Sequence, residues 1–176
     1  MYSFVKQLAF TTIPKARTEH GGAIRQGKRK LARPLDPKRP LHLVLRSEKA
    51  RGRLSLLYGQ NWRAIERLTA KLSRRYGVRV YQFANSGNHL HLLVRGKTRK
   101  GLQDFLRVFS GKIAQFVTGA KKGHAFGKFW SALAYSRVVE WGRAFTEAKY
   151  YVLRNELEAD GFLDYRPQKP KPAVPT

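Results

Sequence analysis

Hydrophobic and polar positions alternate from Leu41 to Arg46, the period of a half-buried strand. From Asn61 to Tyr76 the period lengthens: Trp62, Ile65, Leu68/Thr69, Leu72 and Tyr76 recur at helical spacing, and Gly77 is placed to end that helix. Val78–Ala84 and Asn88–Arg95 again read as strands, joined through the tight turn Asn85-Ser86-Gly87. A second helical stripe runs through Leu102, Phe105/Leu106, Phe109, Ile113 and Phe116/Val117. The Gly/Lys-rich stretch 119–128 reads as a loop and Leu133–Val139 as a fourth strand. A last helix is expected over 146–159, with Thr146 as N-cap and Glu147 in its first turn. The order β-α-β-β-α-β plus one helix predicts an α+β fold: a ferredoxin-like antiparallel sheet with helices on one face and a C-terminal helix carrying tyrosine. In that topology the first and third of these strands are central neighbours and the other sheet face is open.

The flanks lack such periods. Residues 14–40 are rich in Gly, Pro, Lys and Arg and read as a mobile basic arm, and the Pro/Lys-rich 166–176 as a disordered tail. The expected organisation is an N-terminal segment (1–37), one domain (38–165) and the tail.

Composition then narrows the class. Hydrophobic residues make up 42% of 176, enough for a core in one domain. Cysteine is absent, which excludes disulfides, thiol catalysis and Cys-type zinc sites. No apolar run approaches a membrane span and no signal-peptide core opens the chain, so a cytoplasmic, nucleoid-associated location is expected. With 36 Lys and Arg against 11 Asp and Glu, the net charge is +25. Charge of one sign at that density needs a polyanion, and nucleic acid is the commonest. A membrane surface or a ribosomal role would fit the same charge. Charge also does not separate DNA from RNA, or a binder from an enzyme.

Candidate chemistry sits in two places. Alternation in Asn88–Arg95 puts His89 and His91 on one face and Leu90, Leu92 and Val94 on the other. If the leucines face the helices, both imidazoles stand on the open face, where two histidines one strand repeat apart can share a metal ion. Two surface histidines without a ligand fit the pattern as well. His42, on the first strand, can project from the same face as a support to a ligand, a DNA contact or a structural histidine. In the last helix Tyr151 and Asn155 lie one turn apart on one face, with Phe145, Ala148 and Val152 forming the apolar stripe. A tyrosine there can attack a metal-polarised phosphate, or simply pack with its hydroxyl wet. Tyr150 and Tyr135 compete for the role.

Taken together these segments are recognisable. Asn88-His89-Leu90-His91-Leu92-Leu93 resembles the His-hydrophobic-His motif of the HUH endonucleases, and Tyr151-Val152-Leu153-Arg154-Asn155 looks like the nucleophile helix of the single-tyrosine transposases. The chain is most similar to the REP-associated tyrosine transposases of the IS200-like group, over roughly residues 21–161. That resemblance implies a metal-dependent endonuclease and strand transferase acting on single-stranded DNA at or near a hairpin through a 5′-phosphotyrosine intermediate. It implies Tyr151 as nucleophile, with His89, His91 and Asn155 as ligands of a divalent ion, Mg2+ or Mn2+. Arg25, Lys28, Arg29 and Lys30 match the family's basic arm. With His42, Arg46 and Trp130, or Phe129 in its place, they are the candidate nucleic-acid contacts. The implied partner is hairpin or single-stranded DNA, with no membrane and no small-molecule substrate, bound by a monomer or homodimer. Two departures stand out: Glu156 where many relatives have proline, and Ser131-Ala132-Leu133 where they carry a charged residue and an Arg-Tyr pair. The rival is a domesticated, non-catalytic DNA- or RNA-binding protein on the same fold. RNA-recognition motifs, however, place stacking aromatics where this sheet has His89 and His91.

Overall fold

The alternating and helical stripes become nine elements in the computed structural model, which describes residues 18–22 and 31–164. They are β1 (Glu19–His20), β2 (Leu41–Arg46), a 3-10 turn at Gly52–Leu54, α1 (Gly59–Arg75), β3 (Val78–Asn85), β4 (His89–Gly96), α2 (Arg99–Thr118), β5 (Tyr135–Val138) and α3 (Arg143–Ala159). The strands form one antiparallel sheet in the order β1-β5-β2-β4-β3. As expected for the split β-α-β arrangement, β2 and β4 are central neighbours, paired from Leu41 opposite Val94 to Arg46 opposite His89.

One face of the sheet carries the main core. Leu41, Leu43, Leu45, Leu90, Leu92 and Val94 meet Ile65 and Leu72 of α1 and Phe105, Phe109 and Ile113 of α2. Each is at most 4% exposed, so the period-2 and period-3.6 stripes bury each other. Gly77 follows α1 at φ 62°, the left-handed conformation that ends a helix without steric cost. Of the Phe116/Val117 alternatives, Val117 is buried and Phe116 is 48% exposed.

The opposite face is not left open. α3 lies across it, and Ala148 packs with Leu93 and Val139, flanked by Tyr81, Ala144 and Phe145. Val152 is fully buried. A bulge between Val80 and Gln82 gives β3 an extra residue there, and Tyr81 joins that cluster.

Three boundaries differ from the sequence expectation. The last helix begins at Arg143 behind Gly142, so Thr146 is not its N-cap. The Thr146 hydroxyl instead donates to the Gly142 carbonyl one turn back, 3.3 Å away. β5 is shorter than Leu133–Val139. The folded body also begins before residue 38: Leu35 is in the core, and Glu19–His20 pair with Arg137 and Ser136 at the sheet edge. Gly21 makes that edge possible, because a Cβ there would lie 2.0 Å from the Ala134 carbonyl oxygen. The arm residues Arg25, Lys28, Arg29 and Lys30, and the tail 166–176, lie outside the described residues.

Candidate active site

Sheet register decides what gathers under α3. On this face β4 presents His89, His91 and Leu93 in turn. His89 lies opposite Arg46, His91 opposite Val44, and Leu93 opposite His42. On β5, Tyr135 is opposite Val44 and Arg137 opposite His42. His42 and His91 are therefore diagonal neighbours across the β2–β4 ladder, within reach of each other. Their rings are nearly parallel, 12° apart, with centroids separated by 5.5 Å. His42 Nε2 lies 3.3 Å from His91 Nδ1. The His89 and His91 rings are 4.7 Å apart at 75°.

α3 brings Tyr151 onto this row. Its ring sits edge-on to both buried imidazoles, 5.6 Å from His42 and 5.5 Å from His91, at 80° to each. Ala148 and Val152, on either side of Tyr151 in sequence, anchor the helix, so the placement follows from its apolar stripe. Beside the row opens a cleft of about 770 Å³ with a basic rim. His89, His91, Tyr135 and Tyr151 line it together with Arg46, Lys49, Lys128 and Trp130, against one carboxylate, Glu48.

Burial disfavours the charged form of all three imidazoles. Burial pushes His42 down to about 4, with Arg137 adding to the effect. Burial pushes His91 down to about 3, helped by its histidine neighbours. His89 is lowered too, first by burial and then by Arg46. Neutral imidazole is the form that binds metal. His91 Nε2 is buried without a hydrogen-bond partner among the described residues. His89 Nδ1 is engaged by the Asn88 side-chain oxygen, which leaves its Nε2 as the available lone pair. The pair therefore fits the demands of a divalent ion. Among the described residues no group of three or more His, Cys, Asp or Glu could hold one, so further ligands would come from elsewhere, phosphate and water included.

The other named residues fall in different places. Arg46 and Trp130 line the cleft, and the Trp130 indole N–H donates to the Ser110 carbonyl at 3.0 Å. Phe129 is in the core, 4% exposed. His42 is 7% exposed and is not among the cleft-lining residues. Nor is Asn155, whose amide donates to the Tyr151 carbonyl at 2.7 Å along the helix. Of the competing tyrosines, Tyr150 is 67% exposed and does not line the cleft. Tyr135 does, but burial and a hydrogen bond to Glu19 push its ionisation well above the usual phenol range.

Sequence reasoning missed Lys49, Lys128 and the Ser131–Leu133 stretch, which also lines the cleft. No local period marks them. They reach the site because the loop after β2 is tied to the irregular segment before β5: Ser47 Oγ donates to the Phe129 carbonyl at 2.6 Å and the Ser131 N–H to the Arg46 carbonyl at 2.9 Å.

The antiparallel sheet of this α+β fold thus brings two histidines and a helix tyrosine together at one basic cleft. The family model for IS200-like transposases matches residues 39–154, and the chain belongs to that family. The matched span contains His42, Arg46, His89, His91, Trp130 and Tyr151, and stops one residue short of Asn155. Its members are transposases, so this chain has a transposase-type function with DNA as partner. No curated protein matches the sequence. The chain is similar to a candidate transposase from Deinococcus radiodurans R1 of known crystal structure. The two share 16% identity at a TM-score of 0.43, covering 73% of this chain and 98% of that one. No described helix is long and apolar enough to cross a membrane.

Proposed function

We propose that the protein is a metal-dependent single-stranded DNA endonuclease and strand transferase that works through a 5′-phosphotyrosine on Tyr151. The observation that carries this reading is the seating of Tyr151 against His91 and His42 at the edge of one basic cleft, within a single chain. A divalent ion held on His89 and His91 would polarise the scissile phosphate. Arg46, Lys49 and Lys128 draw the strand into the cleft and offset its charge, and Trp130 offers an aromatic face to an unpaired base. The arm residues Arg25, Lys28, Arg29 and Lys30 add phosphate contacts, and Asn155 would offer its side-chain oxygen to the ion, its amide N–H being donated to the Tyr151 carbonyl.

In the chemical step the Tyr151 oxygen forms a bond to phosphorus and its proton leaves to solvent. The bond from phosphorus to the 3′ oxygen breaks, and that oxygen takes up a proton as a free 3′-hydroxyl. The 5′ phosphate stays on the tyrosine, so attack by a 3′-hydroxyl reverses the step and rejoins a strand. Such transfer needs mainly alignment and charge neutralisation, which a helix packed on a rigid sheet supplies.

Labelled single-stranded hairpin DNA, incubated with protein and Mn2+ and run on a denaturing gel, tests this directly. The expected result is a protease-sensitive adduct that disappears in Tyr151→Phe and with chelator. Cleavage without an adduct would make the protein a hydrolytic nuclease. Tight binding with neither cleavage nor adduct would make it a non-catalytic binder.

A further inference from the structure

His42 and His91 meet in a way the proposed chemistry does not by itself require. Their nearly parallel rings have centroids 5.5 Å apart, and the nearest nitrogens are 3.3 Å apart. The centroid separation exceeds the nitrogen separation by about the two ring radii. The rings therefore lie edge to edge, joined by an N–H···N hydrogen bond between His42 Nε2 and His91 Nδ1.

A neutral imidazole has one N–H and one bare nitrogen, so this bond allows two arrangements. If His42 donates, His91 must carry its proton on Nε2. That nitrogen is buried and has no acceptor among the described residues, so the proton would be an orphaned donor bearing its full desolvation cost. If His91 donates from Nδ1, its Nε2 is a bare lone pair. The neighbouring ligand is oriented in the same sense: His89 Nδ1 faces the Asn88 carboxamide oxygen, which can only accept.

We propose that His42 is a positioning residue, accepting the His91 Nδ1–H and so fixing His91 in the tautomer that presents Nε2 to the metal. This deepens the proposed function and rests on it for the identity of the ligand, but the tautomer is a property of the metal-free protein. Asn88 performs the same service for His89. Two acceptors from different origins, one adjacent in sequence and one from the next strand, thus aim two ligands alike. Both are fixed to the central strand pair, which confines their motion. The position of His42 diagonal to His91, buried under Tyr151, accounts for a histidine with little surface for contacting DNA itself.

The test is nitrogen-15 NMR of histidine-labelled, metal-free protein at pH 7, comparing wild type with His42→Leu, which removes the acceptor, and His42→Gln, which can restore one through its carbonyl oxygen. Mn2+ affinity is measured on the same samples by calorimetry. Wild type is expected to show His91 protonated at Nδ1. His42→Leu is expected to move that proton toward Nε2 and to weaken Mn2+ binding by about 10- to 100-fold, the usual range for losing a group that orients a ligand. His42→Gln is expected to recover most of both. A wild-type spectrum with the proton on Nε2 overturns the proposal, and it does so even if His42→Leu does not fold. An unchanged tautomer and affinity in folded His42→Leu overturn it as well. Protein that passes these tests yet forms no adduct with DNA refutes the catalytic reading alone.

Discussion

Acidifying the metal-free protein from pH 8 to pH 5 should cost it about 4 kcal/mol of folding stability through His42 and His91 alone. Both side chains start from an ordinary value of 6.5 and are pushed by burial to about 4 and about 3. The folded state therefore leaves both imidazoles essentially unprotonated at pH 5, whereas the unfolded chain protonates both below 6.5. Acid thus favours the unfolded chain. The stabilisation is fully present above pH 6.5, falls as pH drops, and stops falling only below the folded values. Each pH unit below 6.5 costs about 1.4 kcal/mol per histidine, so the descent to pH 5 costs about 2 kcal/mol for each. That is a large share of the ~5–15 kcal/mol typical of a domain. Urea unfolding in the presence of chelator at the two pH values measures it by linear extrapolation. The control is the double variant His42→Asn, His91→Asn, compared by its pH difference rather than its absolute stability. It keeps the general self-repulsion of a +25 chain while lacking the two buried imidazoles. If the double variant loses as much stability between pH 8 and pH 5 as wild type does, the reasoning fails.

Tyr135→Phe should still form the DNA adduct, with its rate changed by less than about tenfold, equivalent to about 1.4 kcal/mol in the barrier. Loss of the adduct in that variant, with Tyr151 intact, would move the nucleophile to the strand. Val152→Ala removes two buried methylene equivalents at ~0.8 kcal/mol each and leaves a small cavity under α3, for a total of about 2 kcal/mol. The loss should appear in urea unfolding together with faster hydrogen exchange of the α3 amides. A cost below about 0.5 kcal/mol, as at an ordinary surface position, would mean that the helix is not docked as described.

The loop after β2 shows where reading the sequence stops. Lys49 reaches the cleft only through hydrogen bonds between Ser47, Arg46 and the 129–131 segment, some eighty positions downstream. No property of its own neighbourhood distinguishes Lys49 from the other basic residues of this chain. Glu19–His20 is similar: two residues beside a glycine pair form a strand only because β5 has a free edge to receive them.

Much else was decided along the chain. The alternation of His89–Val94 sorted His89 and His91 from Leu90, Leu92 and Val94 before any partner strand was known, because successive side chains in extended backbone must point to opposite faces. The stripes of α1 and α2, the glycine after α1 and the excess of basic charge are likewise local or summed properties, and they carried the fold class and the expectation of a nucleic-acid partner. The sequence could also place Tyr151 on a helix margin. Only the tertiary structure decided that this helix lies across the histidine face, that Tyr151 rather than Tyr150 enters the cleft, and that His42 bonds to His91. These are contacts between positions 49 to 109 residues apart. Backbone periodicity sets which way a side chain points, while register and helix packing, fixed by the burial of whole faces, set what it meets.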